Sequence, residues 1–311
     1  MERTITVGAA QLGPNMRDTK PEEVVPRMVA LLDEAKSRGC DLVVYPEFAL
    51  LPWFATWWIE DQDEIDAFFV REMPNAVTQP LFDKAKEYGI GFNFTYAELA
   101  EENGEPRHYN ASILIDQAGE IVGKYRKIHL PGHTDNRSDL PFQVLEKRYF
   151  DVGNLGFNTW RTMGGVMGLC ICNDRRWPET YRVLAMKGAE MILLGYNTSD
   201  CVPWDPVYDH LMPFHNHLSM QSGAYQNGCW VVGVAKAGQE EYCRLIGGTS
   251  IIAPTGEIVA QGHTQDDELI TAVCDLDFAQ QCRKLMFDFE KHRQIEHYEI
   301  ITKQRGETPP A

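Results

Sequence analysis

Hydrophobic and polar positions follow two different repeats along this chain. Residues 4–11 alternate in the manner of a strand, whereas residues 21–37 place apolar side chains three and four positions apart, as a helix does. The same criteria predict further strands at 42–45, 90–99, 109–116, 120–125, 166–172, 191–196, 229–235, 249–253, 257–261 and 269–275. They predict further helices at 63–72, 79–88, 179–187, 206–226 and 278–286. This mixture of strands and helices predicts a layered α/β or α+β fold.

Two stretches between the predicted elements lack periodicity. The acidic, glycine-bearing stretch 100–107 is expected to be a long hairpin loop, and 126–148 a long polar loop. Loops of the second length are uncommon unless they carry function. The chain also shows a short internal sequence similarity, in which residues 116–122 resemble residues 253–259. This similarity suggests that the two halves of the chain have similar structures, with two sheets packed inside and helices outside.

Composition places the chain among ordinary globular proteins. It has 311 residues, of which 44% are hydrophobic, enough for one large or two small domains. The formal net charge of −16 argues against nonspecific binding to nucleic acid or to anionic membranes. No apolar run approaches the length of a membrane span, and the N-terminus lacks the layout of a signal peptide, so a cytoplasmic protein is expected. The 8 scattered cysteines fit reduced thiols better than a disulfide framework.

The first candidate for chemistry is Cys172, which ends the predicted strand 166–172. A doubly basic turn follows, and Trp177-Pro178-Glu179 then resembles the start of a helix. Such a turn projects a side chain from a rigid edge and leaves backbone N–H groups free to meet negative charge. A helix N-terminus and nearby cations also lower the pKa of a thiol. The alternative is that Cys172 is one more buried, unreactive cysteine.

A carboxylate and an amine follow two other predicted strands, at Glu47 and Lys127. If the three strand ends are adjacent, the carboxylate can take the proton of Cys172, the thiolate can attack a carbonyl carbon, and the ammonium can meet the oxyanion. Taken alone, a glutamate after a strand is usually a solvated loop residue or a helix cap, and a lysine is usually a surface charge. The co-occurrence of the three groups therefore carries the hypothesis.

The motifs around these residues resemble those of the nitrilase superfamily and, within it, of the N-carbamoyl-D-amino-acid amidohydrolases, or D-carbamoylases. The resemblance extends from about residue 5 to about residue 298. Its blocks are Tyr45-Pro46-Glu47, the stretch 124–133, the stretch 145–150, the stretch 171–179, Gly195-Tyr196-Asn197-Thr198 and Tyr225-Gln226-Asn227-Gly228. The first two blocks and the cysteine region are typical of the superfamily, and the run from Cys172 to Glu179 is typical of the carbamoylase branch.

The resemblance implies a fold and an assembly. It implies a four-layer α-β-β-α sandwich made by one carbon-nitrogen hydrolase domain spanning 1–311, with a C-terminal docking tail from about residue 287. It also implies a homodimer or homotetramer, without nucleic-acid or membrane partners.

The resemblance also implies the catalytic roles. Cys172 would be the nucleophile, Glu47 the general base and acid, and Lys127 the oxyanion stabiliser, helped by the backbone N–H of Asn173. Glu146 would orient Lys127 or the attacking water, although a loop salt bridge with a neighbouring basic residue is the alternative. The implied reaction is hydrolysis of N-carbamoyl-D-amino acids through a carbamoyl thioester on Cys172, with no metal or organic cofactor.

Substrate binding is expected to depend on the two arginines after the nucleophile. A guanidinium grips a carboxylate through two parallel hydrogen bonds, so Arg175 and Arg176 are expected to hold the substrate carboxylate. The alternative is that one of them braces the turn. Asn197 and Thr198, at another strand end, are expected to help bind the carboxylate or the ureido group, unless they form an ordinary turn.

The histidines are expected to support the site and not to bind metal. His129 is expected to support the network of Lys127 and Glu146. It lies four residues from His133, but a Pro-Gly turn separates the two, so a metal pair is not expected.

Two departures from the resemblance bear on the range of substrates. The resemblance departs at Val144, where close relatives carry histidine, and in the loop 199–208 that borders the expected side-chain pocket. Within the superfamily the rivals are a nitrilase, an aliphatic amidase and a β-ureidopropionase. Outside enzymes, the rival is a noncatalytic scaffold or thiol sensor on the same fold.

Overall fold

The computed structural model describes residues 3–140 and 142–310. The strands within these ranges are β1 (Thr4–Gln11), β2 (Leu42–Val44), β3 (Gly91–Glu102), β4 (Glu105–Ile115), β5 (Ile121–Arg126), β6 (Thr159–Thr162), β7 (Gly165–Ile171), β8 (Met191–Tyr196), β9 (Trp230–Ala235), β10 (Ala237–Glu240), β11 (Cys243–Ile246), β12 (Ser250–Ile252), β13 (Ile258–Gln261) and β14 (Glu268–Asp275). The α-helices are α1 (Pro21–Ser37), α2 (Gln62–Asp66), α3 (Gln79–Tyr88), α4 (Glu146–Tyr149), α5 (Pro178–Met186), α6 (Met212–Asn227), α7 (Leu276–Met286), α8 (Phe289–His292) and α9 (Glu299–Lys303). Short 3₁₀ turns occupy Phe54–Thr56, Cys172–Arg176, Pro206–Leu211 and Ile295–His297.

Twelve of these strands form two sheets of six. The first sheet has the spatial order β14-β1-β2-β3-β4-β5, and the second has the order β13-β12-β9-β8-β7-β6. In the first sheet, β2 runs parallel to both β1 and β3, and in the second, β8 runs parallel to both β7 and β9. Because parallel strands end at the same edge of a sheet, the residues that follow β1 and β2 share one edge of the first sheet, and those that follow β7 and β8 share one edge of the second.

The alternation along the strands explains how the layers pack. In β2, Leu42 and Val44 join the cluster that contains β7 and β8, whereas Val43 faces the cluster that contains α1 and α3. The first cluster therefore fills the space between the two sheets, and α5 and α6 cover the far side of the second sheet. The arrangement is the expected four-layer α-β-β-α sandwich, and the prediction of the fold class is confirmed.

Most strand and helix positions agree with the sequence-based predictions, but two predictions were wrong in extent. The expected loop 100–107 is mostly strand, because β3 and β4 continue to a tight turn at Asn103 and Gly104, both with positive φ. The expected helix 63–72 is reduced to the single turn α2, because Val70 leaves it to hydrogen-bond to the backbone of β3.

Other differences lie in the second half of the chain. The expected helix 206–226 begins as a 3₁₀ turn, and the α-helix starts only at Met212, with proline in its first turn. The hairpin β10–β11 and the edge strand β6 were not predicted, because each is short and β6 is not apolar enough to show a clear repeat.

The C-terminal segment beyond α7 contains the single-turn helices α8 and α9. The guanidinium groups of Arg182 and Arg283 lie over the ring of Phe289 in α8, which holds the start of this segment against the body of the protein. A docking function for the segment stays a prediction. Across residues 3–140 and 142–310, none of the helices combines the length and apolar character needed to cross a lipid bilayer.

Candidate active site

Cys172 lies where β7 gives way to the 3₁₀ turn 172–176. Its φ of 46° lies in the left-handed region, which is unusual for a residue with a side chain. The thiol donates a hydrogen bond to the carbonyl of Asn197 at 3.2 Å. Because the first N–H groups of a helical turn have no partner within it, the N–H of Asn173 is available beside the thiol.

Glu47 lies directly beyond β2 and is completely buried. Its Oε1 accepts a hydrogen bond from Asn110 Nδ2 at 2.8 Å, and its Oε2 accepts one from the backbone N–H of Asn197 at 3.0 Å. Gly195, at the end of β8, allows this packing: a Cβ at that position would lie 2.5 Å from the backbone nitrogen of Glu47. The carboxylate is therefore fixed from both sheets.

Lys127 lies just beyond β5, and its ammonium bridges two carboxylates. Nζ lies 2.8 Å from Glu47 Oε1 and 2.6 Å from Glu146 Oε2, and all three side chains are fully buried. Oxygens of Glu47 and Glu146 and the sulfur of Cys172 lie within 4.8 Å of one another. The acid, the amine and the thiol expected to meet are thus brought together, and Glu146 pairs with Lys127 instead of forming a loop salt bridge.

The charges in this cluster set the resting protonation states. Burial, together with the neighbouring Glu47, raises the pKa of the Cys172 thiol, although Lys127 opposes the shift. Desolvation therefore outweighs the effect of the nearby cations on the pKa of this thiol. Burial disfavours the ammonium of Lys127, but attraction to Cys172, Glu146 and Glu47 raises its pKa. Cys172 rests as a thiol and Lys127 as a cation.

Glu47, Glu146 and Cys172 are also close enough to act as ligands of one metal ion. The ammonium of Lys127 occupies hydrogen-bonding positions on both carboxylates. A metal ion bound there would have to displace this cation or lie against it, so the donor set fits a buried ammonium better than a metal.

A cavity of about 400 Å³ opens above the Cys172 sulfur. Its wall includes Val144 and much of the loop 199–208, as expected from the sequence. The lining as a whole is mostly apolar, and its amide and charged groups come from the segments that follow β7 and β8 and from α6; the lining residues are Trp53, Pro131, Val144, Cys172, Asn173, Arg175, Arg176, Asn197, Thr198, Ser199, Cys201, Val202, Pro203, Trp204, Tyr208, Met212 and His215. The volume suits a molecule the size of a derivatised amino acid.

Arg175 lines this cavity, but its donors are already engaged by protein. Its guanidinium donates to the carbonyl of Cys172 at 2.7 Å, to Thr198 Oγ1 at 2.6 Å and to Asn216 Oδ1 at 3.0 Å, and it lies over the ring of Tyr196. Arg175 therefore braces the nucleophile turn, the role that the alternative gave to one of the two arginines, and a contact between Arg175 and substrate stays a prediction.

Arg176 differs from its neighbour. It is exposed at the cavity wall, and among residues 3–140 and 142–310 its guanidinium forms no hydrogen bond or ion pair. Desolvation by the surrounding protein and the nearby Arg175 cation lower the pKa of Arg176 to about 10, so it remains charged at neutral pH. Arg176 is the cation available to a ligand in this cavity.

The other expected binding residues divide into two groups. Asn173, Asn197 and Thr198 line the cavity. Asn197 also binds the Glu47 backbone carbonyl through Nδ2, and Thr198 is the acceptor of Arg175, so both help to build the site as well as border it.

His129 is placed elsewhere. Its Nδ1 lies 2.8 Å from Asp174 Oδ1, and its ring stacks on Trp177. Among the described residues it forms no hydrogen bond to Lys127 or Glu146, and it lines a second pocket that Asn173 also borders. The expected support of the lysine network by this side chain is therefore corrected: the imidazole of His129 is held by the buried carboxylate of Asp174 and the ring of Trp177.

Sequence reasoning missed two residues that build the site. Asn110 binds Glu47 directly, and Asp174 accepts hydrogen bonds from both sheets. Asn110 is one polar residue within a strand and belongs to no visible pattern, and although Asp174 lies in the run from Cys172 to Glu179, nothing in that run indicated its contacts. The only available signal for Asp174 was its position two residues after Cys172.

The chain is similar in sequence and fold to known proteins. A family model described as carbon-nitrogen hydrolase matches residues 6–284. The nitrilase of Pyrococcus abyssi (strain GE5 / Orsay) is 28% identical over 296 residues, which cover 94% of this chain and 99% of that protein. The N-carbamoylputrescine amidase of Arabidopsis thaliana is 31% identical over 288 residues, 89% of each protein. The structure of a carbon-nitrogen hydrolase from Helicobacter pylori G27 superposes with a TM-score of 0.82 at 21% identity, covering 97% of this chain and 99% of that chain.

Proposed function

The chain belongs to the carbon-nitrogen hydrolase family and is an enzyme that acts on amides, and we propose that it hydrolyses N-carbamoyl-D-amino acids to the D-amino acid, ammonia and carbon dioxide. The proposal combines the buried cluster of Glu47, Lys127 and Cys172 with the unpaired cation Arg176 on the cavity wall. It requires no metal or organic cofactor.

The first half of the reaction acylates the enzyme. Glu47 takes the proton of the Cys172 thiol, and the thiolate adds to the ureido carbon. Lys127 and the N–H of Asn173 stabilise the resulting oxyanion. The carbon–nitrogen bond to the amino acid then breaks, and Glu47 returns its proton to the departing amine, which leaves a carbamoyl thioester on Cys172.

The second half hydrolyses the thioester. Glu47 takes a proton from water, and the hydroxide adds to the carbamoyl carbon. The tetrahedral intermediate expels the thiolate of Cys172, which recovers its proton from Glu47. The carbamic acid released decomposes to ammonia and carbon dioxide. Because the resting thiol has a raised pKa, the base must act at the moment of attack, which is consistent with the closeness of Glu47 and Cys172.

The observation that carries the substrate class is the charge of the cavity wall. Of the described residues that line it, none is acidic, whereas Arg176 is free to bind an anion. In an N-carbamoyl amino acid, the carboxylate is attached to the carbon next to the ureido nitrogen. This carboxylate would bind the guanidinium of Arg176 while the ureido carbonyl carbon lies at Cys172. The Arabidopsis relative is named for N-carbamoylputrescine, a urea that carries an amine, and such a cation would be repelled by Arg176.

The proposal is tested by comparing turnover of N-carbamoyl-D-phenylalanine, its L-isomer, N-carbamoyl-β-alanine and N-carbamoylputrescine. We expect the D-isomer to have the highest kcat/KM, and mass spectrometry of enzyme quenched during turnover should find a carbamoyl group on Cys172. A higher kcat/KM for the L-isomer or for N-carbamoylputrescine would refute the proposed substrate. Turnover without any adduct on Cys172 would argue against the thioester.

The second candidate is a β-ureidopropionase, because a β-ureido acid also presents a carboxylate to Arg176. Preference for N-carbamoyl-β-alanine over the D-isomer would favour it. A nitrilase or an aliphatic amidase is less well supported, because a nitrile or simple amide gives no reason for a free arginine in the cavity.

A further inference from the structure

The backbone of the nucleophile turn is strained, so contacts with the surrounding protein must hold it in this conformation. Cys172 has positive φ, and such strain persists only where the surroundings impose it. One contact to the turn comes from Arg175, which itself lines the cavity. A second set of contacts, centred on Asp174, lies away from the cavity.

Asp174 is completely buried, and its carboxylate accepts hydrogen bonds from two directions. On the side of the nucleophile, Oδ2 accepts the backbone N–H of Ile171 at 3.0 Å, directly before Cys172. On the side of the other sheet, Oδ2 accepts the hydroxyl of Tyr125 at 2.7 Å, and Oδ1 accepts the N–H of His129 at 3.0 Å and faces its Nδ1 at 2.8 Å.

The partners from the other sheet flank the catalytic lysine. Tyr125 precedes Lys127 by two residues, and His129 follows it by two residues. The hydroxyl of Tyr125 also accepts the N–H of Ile128, next to the lysine, at 3.2 Å. A single carboxylate therefore fastens the backbone before the thiol to the backbone on both sides of the ammonium.

We infer that Asp174 is a positioning residue that sets the relative placement of Cys172 and Lys127, and so aligns the thiol with its oxyanion donor and its base. The inference rests on the proposed role of Cys172 as the nucleophile. Asp174 is absent from the described lining of the cavity, so its effect on the reaction passes through the two residues that it aligns.

Asp174→Asn tests this with a side chain of the same shape. An amide has one oxygen and one NH₂ group, so either orientation turns NH₂ toward a backbone N–H, of Ile171 or of His129. Neither N–H can rotate away. Since a displacement of about 1 Å in a reacting group can cost on the order of 100-fold in rate, we expect a fall of about that size in kcat, with KM within a few-fold of wild type.

Two variants accompany it. Tyr125→Phe removes one hydroxyl from the same network and should lower kcat by about tenfold, the low end of the effect expected for one hydrogen bond to a charged group. Asp139→Asn is the matched control: Asp139 is an exposed carboxylate paired with Arg137, and the variant should match wild type. Thermal unfolding establishes that each variant is folded, and Tyr125→Phe alone decides the question if Asp174→Asn does not fold.

A second readout does not depend on the substrate. The rate at which iodoacetamide alkylates Cys172, followed by mass spectrometry of the peptide containing it, should fall at least tenfold in Asp174→Asn, because the thiol is no longer aligned with its base and cation. If wild type turned over no N-carbamoyl amino acid, the proposed function would fail, and the alkylation rates would still decide the role of Asp174. Folded variants with unchanged alkylation and kcat, or a raised KM with unchanged kcat, would overturn the inference.

Discussion

Replacing Arg176 by glutamine removes a cation on the cavity wall that, within the described residues, has no protein partner and is available to a substrate carboxylate. A hydrogen bond between charged partners contributes about 1.5–3 kcal/mol, which corresponds to roughly 10- to 100-fold in kcat/KM. Arg176 is exposed to solvent, which screens the interaction, so the lower end of this range is expected. The bond is made to substrate and transition state alike, so the loss should appear mainly in KM.

The assay measures kcat and KM for N-carbamoyl-D-phenylalanine and for phenethylurea, which is the same molecule without its carboxylate. Wild type should prefer the acid by about the factor that Arg176→Gln loses. In the variant the preference should largely disappear, because phenethylurea has no group for Arg176 to bind. The comparison separates loss of the carboxylate contact from general damage to the site.

Arg161→Gln provides the control, since Arg161 is another exposed arginine, on β6, and lines a different pocket. It loses the same charge and should leave both substrates unaffected. The reasoning would be refuted if Arg176→Gln lowered kcat/KM equally for the acid and for phenethylurea, or if it left the acid unchanged. Either result would mean that the carboxylate is held elsewhere or is not part of the substrate.

Four further predictions concern the buried charges. Glu47→Gln removes the proposed base and should lower kcat by about 10²- to 10⁴-fold in a folded protein. Stopped-flow or end-point assays of ammonia release would measure this. If the variant had the kcat of wild type, Glu47 would have no role in the mechanism. Burial raises the pKa of Glu146 to about 7, so the acid limb of kcat/KM against pH should lie near neutrality and move to lower pH in Glu146→Gln, whereas an unmoved limb would contradict this. Because the folded state binds this proton more tightly than the unfolded chain does, wild type should lose stability as pH rises from 4.5 to about 7, and denaturation of Glu146→Gln should lack that loss. Lys236→Met leaves the buried Glu240 without its ion-pair partner and should lower the free energy of unfolding, measured in urea, by about 3–5 kcal/mol. The double variant Lys236→Met/Glu240→Gln should recover part of this loss. Equal stability of the single and double variants would count against a buried ion pair.

Local periodicity was sufficient for most of the architecture. The bounds of β1 and α1 match the predictions, because each has a strong repeat of its own and is bordered by polar or turn residues. Where tertiary contacts compete with local preference, prediction failed. Val70 lies in a helix-like pattern but pairs with β3, and the polar ends of β3 and β4 pair through a turn that a loop-like composition concealed.

Some features of the active site could likewise be predicted from the sequence, and others could not. Glu47, Lys127 and Cys172 could each be proposed because each follows a predicted strand, and their closeness was a hypothesis about how strand ends meet. The different positions of Arg175 and Arg176 could not be predicted, because adjacent residues in a turn point in different directions and only packing decides which one is buried.

The amino-acid sequence by itself determined the positions of most strands and helices, that they form layers, and which residue types stand at the strand ends, because these follow from short-range patterns of burial and turn chemistry. Only the tertiary structure decided that Lys127 lies between two carboxylates, that the Cys172 thiol has a raised pKa, and that His129 faces Asp174. These properties depend on distances and desolvation between residues far apart in the chain, and no local pattern encodes either quantity.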